Sequence, residues 1–489
     1  MTDHDEARER PERTRREFLR TAGFFGAAAA MGPAFLAACG SSKKAPASGA
    51  TTTTGGGAAT TKAAATGTTA APGAATTAAS GGATTAAAAA AKGDAGSQLA
   101  ALLKIDEKTA GKGKDFQLAS VLALTGSGSF YGKTMTRGID LAVKHIAAAG
   151  GPNIKVTYWD HKSGDAAAGK QAITEIIAKK FPAKLASYVD DLGAMLEGTA
   201  QNKIFTLDGG GGTSEFGKGK PYFWGTRAIT PNDPLPGLFK YWLEANPGKT
   251  SVGVMGWDIG DPNNGIVKED VLKKIAAAGM KHNGLYELVP VGGQDFSAVL
   301  PKIKANEPEL LLVFVYGQDP GSFLNQAGTA GLKAKIIGFE FTPDGVTSSK
   351  GAYDKDGWTF AYDYFDSTAP TSPLAKLFVS EFKAAYGGDL PDFYAANFYE
   401  NTLVMWEVIR RVIAKGGDIN DGDQLDKALR ENLTVVSVYA GDANTVGTYT
   451  LDPDTHSVKK RGMGVFEYKG GKVTAKAFFG IDGVDYKKA

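Results

Sequence analysis

From residue 115 onward, apolar runs of strand length alternate with longer amphipathic segments. Strands are predicted at 116–124, 154–160, 185–189 and 203–207, with helices between them at 133–149, 165–179 and 192–201. Alternation of this kind is typical of a parallel sheet with helices on both faces. The first part of the body is therefore predicted to be one α/β unit.

The same alternation starts again near residue 251. Strands are predicted at 251–257, 284–290, 310–315, 335–339 and 357–362, and helices at 263–278, 295–305 and 321–330. Helices then follow at 372–386, 393–415 and 422–431, with short strands at 447–451, 464–468 and 472–479. The predicted fold class is α/β, with two doubly wound lobes. Ligands of such sheets bind beyond the carboxyl ends of the strands, and pockets favour domain boundaries, so we expect a cleft between the lobes.

The first 40 residues have the pattern of an export signal. Arg15 and Arg16 precede an apolar run at 22–38, which ends in small residues before Cys39. A positive start, a short apolar stretch and a small-residue cleavage site predict a signal peptide over 1–38, and the paired arginines favour the twin-arginine route. The alternative is a transmembrane helix, but an Ala- and Gly-rich run of this length is short for a bilayer.

The residues Leu36-Ala37-Ala38-Cys39 resemble the lipobox of bacterial lipoproteins. That resemblance implies that Cys39 is acylated on its sulfur and anchors the protein to the extracytoplasmic face of the cell membrane. The next segment, 39–97, consists almost entirely of Ala, Thr, Gly and Ser after the cysteine, so we expect a flexible linker. Its threonines leave O-glycosylation open.

Composition narrows the classes of function. Cys39 is the single cysteine among 489 residues, so no internal disulfide stabilises an exported body. The formal net charge is +2, and no long run of one sign occurs in the body, which argues against a nucleic-acid partner.

A glycine-rich segment between the first predicted strand and helix ends in Gly132-Lys133-Thr134, as a phosphate-binding loop does. Ser127 stands where the first glycine should be, and counting from Gly126 makes the loop one residue too long. The favoured interpretation is that these glycines serve backbone geometry alone.

No catalytic or metal-binding pattern is visible. The chain has no Gly-x-Ser-x-Gly elbow, and its five histidines, one of them His161 at a strand end, are scattered rather than at ligand spacing. We therefore predict a protein that is not an enzyme and needs neither a cofactor nor a metal.

Several short motifs occur in a specific order along the body: 124–126 with 130–132, 137–142, 294–300 with 302–304, 326–327 with 331–332, and 337–340. In this order and spacing, the chain resembles the leucine/isoleucine/valine-binding type of ABC-transporter solute receptor over 116–479. That group is a branch of the type I periplasmic binding proteins.

The resemblance implies a two-lobed flytrap that closes on a small polar solute, such as an amino acid or amide-like compound, and then docks on an ABC importer permease. It places hinge crossovers near 226–232, 360–366 and 434–447. Lobe 1 would comprise 115–228 plus 364–440, and lobe 2 would comprise 229–363 plus 445–489. The alternatives are a flytrap that presents a solute to a separate membrane signalling partner and, less favoured, an exported hydrolase.

The resemblance also implies site residues. Glu340 matches the acid that holds a ligand ammonium, and Tyr316 matches an aromatic residue that lines the ligand. Tyr131, Trp257 and Tyr362, at the ends of strands or in the loops that follow, are further candidates for stacking, as is Phe130. The alternative for each aromatic residue is that its ring packs in the core instead of contacting the ligand. The alternative for Glu340 is an acid at the surface or in the hinge.

The segment that would bind a ligand carboxylate differs from the corresponding segment in the family. The segment 188–194, which contains Asp190, Asp191 and Gly193, lacks the expected serine and threonine. The next loop offers backbone N–H groups around Gly212 and the hydroxyl of Thr213. If both aspartates face the cleft, the pocket is acidic and favours an amine, amide or polyol; the favoured alternative is that Asp191 is the N-cap of the next helix.

Overall fold

The computed structural model describes residues 94–187, 189–211, 217–227 and 233–489, with the backbone alone for 189–192 and 194. Arg15, Arg16 and Cys39 therefore lie outside the described residues. Within those residues, no helix combines the length and the apolar composition that crossing a bilayer requires.

The first alternation of strands and helices forms a five-stranded parallel sheet. Its strands are β1 (Asp115–Leu122), β2 (Asn153–Asp160), β3 (Ala183–Ala186), β4 (Phe205–Asp208) and β5 (Phe223–Gly225), in the spatial order β2-β1-β3-β4-β5. The helices before and between them are α1 (Ala95–Leu102), α2 (Glu107–Ala110), α3 (Ser129–Ala148), α4 (Ala166–Ala178) and α5 (Val189–Gln201). Because the ladders are all parallel, the strands end at one edge.

The second alternation forms an eight-stranded mixed sheet. In chain order the strands are β6 (Ser251–Trp257), β7 (Lys281–Val289), β8 (Leu310–Phe314), β9 (Lys335–Gly338), β10 (Trp358–Asp363), β13 (Met463–Lys469), β14 (Lys472–Phe479) and β15 (Lys487–Lys488). Their spatial order is β15-β14-β13-β10-β9-β8-β6-β7. The five strands β6 to β10 are parallel to one another, and β13 to β15 pair in antiparallel fashion. The associated helices are α6 (Leu235–Ala245), α7 (Asn263–Ala277), α8 (Leu300–Ala305), α9 (Asp319–Thr329), α10 (Pro343–Ser348) and α11 (Ala352–Asp356).

Three more helices and one hairpin complete the first sheet's side of the molecule. They are α12 (Pro373–Ala385), α13 (Phe393–Ala414), α14 (Gly422–Glu431), and the antiparallel strands β11 (Thr434–Gly441) and β12 (Val446–Thr450). We call the first sheet with α1–α5, α12–α14 and this hairpin the first lobe, and the second sheet with α6–α11 the second lobe. The two α/β lobes agree with the predicted fold class.

The chain passes between the lobes after β5, after β10 and between β12 and β13. The third passage was predicted at 434–447, and this is wrong because those residues form the β11–β12 hairpin. Asp442 accepts the backbone N–H groups of Asn444 and Thr445, which closes the hairpin turn locally. The passage is 459–462 instead, because Ser457 still pairs with Gly225 of β5 and Val458 with Leu451, while the exact boundaries of the two lobes stay predictions.

The glycine-rich segment at 126–132 is explained by its backbone. Gly126 has φ +86°, and a Cβ on Gly132 would lie 2.0 Å from the carbonyl oxygen of Ala123. The hydroxyl of Ser163 accepts the N–H of Gly128 and donates to the carbonyl of Thr125, so protein groups hold the loop. The interpretation by backbone geometry agrees with these contacts, and α3 begins at Ser129 rather than at residue 133.

Candidate functional site

The carboxyl ends of the parallel strands in the second sheet carry four of the predicted site residues. Trp257 ends β6, Tyr316 follows β8, Glu340 follows β9, and Tyr362 lies near the end of β10. Because β6, β8, β9 and β10 are parallel neighbours, these positions lie along one edge of the sheet.

Glu340 lies at the contact between the two lobes. Its carboxylate accepts hydrogen bonds from the hydroxyl of Tyr131, from the hydroxyl of Tyr394 at 3.2 Å, and from the backbone N–H of Gly317. The N–H of Gly317 also lies 2.8 Å from the hydroxyl of Tyr131. Tyr131 on α3 and Tyr394 on α13 belong to the first lobe, whereas Glu340 and Gly317 belong to the second. The acid therefore joins the lobes directly.

Burial changes the chemistry of this carboxyl. Glu340 is 3% exposed, and its burial raises the pKa to about 7, although the hydrogen bonds from Tyr131, Gly317 and Tyr394 and the charge of Arg227 act in the opposite direction. A carboxyl with this pKa exchanges its proton near neutral pH. The predicted alternative of a surface acid is wrong, because the group is buried among donors.

Trp257 and Tyr316 form a second aromatic contact at the same edge. Their ring centroids are 5.2 Å apart in an edge-to-face arrangement, and Trp257 Nε1 donates to Asp319 Oδ2 at 2.8 Å. Burial raises the pKa of Asp319, while the bond from Trp257 lowers it. Two separately predicted aromatic residues are thus in contact, and the first residue of α9 holds Trp257 in place.

A pocket of about 460 Å³ lies beside the Glu340 cluster and is lined by both lobes. Phe130, Phe393 and Tyr394 come from the first lobe, and Phe341 and Tyr362 come from the second. The Tyr362 and Phe393 rings meet edge to face at 5.7 Å. Aromatic walls of this kind bury an apolar or planar part of a small molecule.

Buried charged residues lie at all three passages between the lobes. Arg227, after β5, donates from Nε to Asp363 Oδ2 at 2.6 Å, and its guanidinium lies over the ring of Phe393 at 4.3 Å. Arg461, in the third passage, donates to Glu400 Oε1 at 3.0 Å. Sequence analysis missed these residues and Tyr394, because no local pattern indicates which distant side chains meet.

The remaining predicted site residues lie in α5 and in the segment that follows β4. Gly193 is exposed on α5. Gly212 and Thr213 lie outside the described residues, as do the side chains of Asp190 and Asp191. Helix α5 begins at Val189, so Asp191 is its third residue, and the interpretation of Asp191 as its N-cap is wrong.

The described residues show no group of three or more His, Cys, Asp or Glu side chains that could hold a metal ion. His161 is buried, with Nδ1 accepting the N–H of Gly164 at 2.9 Å, as expected for a packed histidine.

The chain is similar to several curated proteins from Brucella. It is 27% identical over 337 residues to Leu/Ile/Val-binding protein homolog 1 of Brucella abortus (strain 2308), covering 63% of this chain and 81% of that protein. It is 29% identical over 240 residues to Leu/Ile/Val-binding protein homolog 2 of the same strain, where the match covers 46% of this chain and 60% of the relative's length.

Solved structures share the fold at lower identity. The leucine binding protein LivK from Thermotoga maritima has a TM-score of 0.63 and 20% identity, with coverage of 74% of this chain and 98% of the other. A solute binding protein of an ABC transporter from R. palustris, in complex with benzoate, has a TM-score of 0.62 and 19% identity, with coverage of 77% and 98%.

The family assignment rests on the body of the chain. Residues 115–472, which include the first sheet and the second sheet up to the first residue of β14, match the periplasmic binding protein family. The chain therefore belongs to the periplasmic binding protein family.

Proposed function

We propose that this protein is an extracytoplasmic solute-binding receptor that captures a small polar solute between its lobes and delivers it to an ABC importer permease. The observation that carries the proposal is the Glu340 cluster, in which groups from both lobes meet at the strand ends of the second sheet. The family and the similarity to the Leu/Ile/Val-binding protein homologs of Brucella support it.

The solute is proposed to be an amino acid or an amide-like compound. Glu340 offers acceptor oxygens, and a solute N–H group replaces the bond from Tyr131 or Tyr394 when it binds there. A hydrogen bond to an ionised carboxylate is stronger than a neutral one, which favours a cationic or amide donor. Tyr316, Trp257 and Tyr362 are proposed to contact the rest of the solute, together with the other residues predicted from the sequence: Tyr131, Asp191, Gly193, Gly212 and Thr213.

Closure is proposed to follow from ligand contacts with both lobes. A solute that touches Glu340 in the second lobe and the first-lobe loops at once binds the closed form better than the open form. This difference in affinity shifts the population towards closure.

Membrane attachment is a separate part of the proposal. Acylation of Cys39 after cleavage of 1–38 would hold the receptor beside its permease, with 39–97 as the tether. A single acyl chain gives only marginal attachment, so stable anchoring requires more than one chain on the mature N-terminus.

Calorimetric titration tests the binding function. The panel contains leucine, isoleucine, valine, a primary amide and benzoate, and we expect saturable binding of an amine or amide. Glu340→Gln should weaken that binding by about 1–3 kcal/mol, because it removes a charge-assisted acceptor. Glu269→Gln, on the exposed face of α7, is the matched control. Absence of binding by every amine and amide contradicts the proposed solute class.

Cell fractionation tests the anchor. The wild-type protein should be found with the membrane, whereas Cys39→Ser should be released or remain as uncleaved precursor. Arg15→Lys with Arg16→Lys should retain the protein in the cytoplasm if export uses the twin-arginine route. Equal distribution of all three proteins contradicts both the anchor and the route.

A further inference from the structure

A second and larger pocket lies at the third passage between the lobes. Its volume is about 760 Å³. One wall comes from the β11–β12 hairpin of the first lobe, another from the passage segment 459–462, and a third from the end of β14 and the segment that follows it in the second lobe. None of its lining residues contributes to the Glu340 cluster or to the pocket beside it.

We call this second pocket the hinge pocket. Cationic residues outnumber acidic ones in its lining. One acid, Asp485, and four cationic residues line it: Lys459, Lys460, Arg461 and Lys487. The charge of Arg461 is paired with that of buried Glu400. Lys459 forms an ion pair with Asp452 at 3.2 Å. Lys460 and Lys487 are exposed and make no ion pair with any residue that the structure describes. Two cationic side chains thus lack an anionic partner among the described residues, and Nζ of Lys487 lies 5.9 Å from the centroid of the Phe478 ring.

Two lining residues carry buried donors that lack a hydrogen-bond partner among the described residues. They are the hydroxyl of Tyr449 and Nε of Arg461. Both residues are 5% exposed, and the guanidinium of Arg461 lies 5.2 Å from the centroid of the Tyr449 ring. Buried donors without acceptors are costly, so an acceptor oxygen in this pocket would be stabilising.

The rest of the lining is apolar. Phe478, Phe479 and Ile481 contribute rings and an aliphatic side chain, and Val484 is 53% exposed beside them. Such walls accommodate an apolar body, while the lysines and the buried donors favour negatively charged oxygen atoms.

We propose that this hinge pocket is a binding site for a small organic anion, with a phosphate or carboxylate group held by Lys460 and Lys487 and an apolar body against Phe478 and Ile481. The site is distinct from the interlobe solute site. Because its walls belong to both lobes, a bound anion favours the arrangement of lobes that keeps those walls together.

Calorimetric titration with phenyl phosphate, at constant ionic strength in sodium chloride, tests this site. We expect saturable binding to the full-length protein, weaker binding of inorganic phosphate, and none of benzyl alcohol, which has the apolar body without the charge. Equal affinity for phenyl phosphate and benzyl alcohol would overturn the role of the lysines.

Variants locate the binding. Lys460→Glu with Lys487→Glu should raise the dissociation constant for phenyl phosphate at least tenfold, with an unchanged circular dichroism spectrum. Lys472→Glu is the matched control, because this lysine is exposed at the start of β14 and does not line the pocket. Unchanged affinity in the double variant, the same loss in the Lys472 control, or no binding of phenyl phosphate by the wild type overturns the proposal.

Discussion

The hydroxyl of Tyr131, in the first turn of α3, donates a hydrogen bond to the carboxylate of Glu340, two residues after the end of β9. The two residues belong to different lobes, and both are almost fully buried. A hydrogen bond between such positions favours lobe contact, since opening the cleft exchanges it for a bond to water. The relationship makes Tyr131 the first target for mutation.

Tyr131→Phe removes the hydroxyl and leaves the ring. The free energy of unfolding of the variant should be about 1–2 kcal/mol lower than that of the wild type, because Glu340 and the N–H of Gly317 both lose a partner. Denaturant unfolding measures the change. Tyr286→Phe serves as the control, since no hydrogen bond from that hydroxyl is found in the described residues; an equal loss in both variants would contradict a role for the interlobe bond.

A second prediction concerns the pH dependence caused by Glu340. Its pKa is raised from 4.5 to about 7 in the folded protein, so the folded state binds the proton more tightly than the unfolded state does. The free energy of unfolding should therefore fall as pH rises from about 4.5 to about 7, by up to about 3 kcal/mol. In Glu340→Gln this fall should be absent, because the amide does not titrate. Parallel curves for wild type and variant would contradict the raised pKa.

Much of the fold was predictable from the sequence, because strands and helices follow local patterns. The strand predicted at 335–339 corresponds to β9, and Glu340 follows the carboxyl end of that strand as predicted. Strand β5 was missed because it has three residues, and α1 begins at Ala95, inside the predicted linker. Asp94 caps that helix by accepting the N–H of Ser97.

The partners of the site residues were not predictable in the same way. Glu340 was predicted to bind a ligand ammonium, and the structure adds Tyr131 and Tyr394 as its protein donors. Tyr394 lies in the first turn of α13. The apolar pattern of this helix indicates that it is buried, but it does not indicate that the first turn faces the other lobe. Contacts between distant elements depend on packing, which a single sequence does not specify.

A third prediction concerns His145, which is buried on α3 with Nδ1 2.8 Å from the hydroxyl of Tyr399. Burial, with the charge of Lys144, lowers its pKa from 6.5 to about 4. Here the unfolded state binds the proton more tightly, so stability is lost as pH falls from about 6.5 to about 4, by up to about 3 kcal/mol.

This effect opposes that of Glu340 over much of the same pH range, so the wild-type curve should be flatter than either contribution alone. His145→Gln should remove the acid loss and leave stability that decreases with rising pH. Thermal unfolding between pH 4 and pH 7 measures both slopes. If His282→Gln, a control on β7, changes the slope equally, the effect does not belong to the buried ring.

The ion pair of Arg227 and Asp363 supports a fourth prediction. The two groups are 8% and 0% exposed, with Nε 2.6 Å from Oδ2. Arg227→Met leaves a buried aspartate without its cation and should cost about 3–5 kcal/mol, whereas adding Asp363→Leu should recover a large part of that loss. The exposed pair of Lys273 and Glu269 is the control, since Lys273→Met should cost less than about 1 kcal/mol. Additive effects of the two buried substitutions in a double-mutant cycle would contradict their coupling.

The fifth prediction tests how closely α3 and α13 approach. A Cβ on Gly138 would lie 2.2 Å from the carbonyl oxygen of Ala395, which no side-chain rotation relieves. Gly138→Ala should therefore lower the free energy of unfolding by about 1–3 kcal/mol, because the two helices must move apart. Gly265→Ala, on α7, has nothing within 4 Å of its added Cβ and should be neutral or stabilising. Because Tyr131 lies on α3 and Tyr394 on α13, displacement of these helices should also weaken solute binding in Gly138→Ala. A Gly138→Ala protein with unchanged stability would show that this helix contact is not tight.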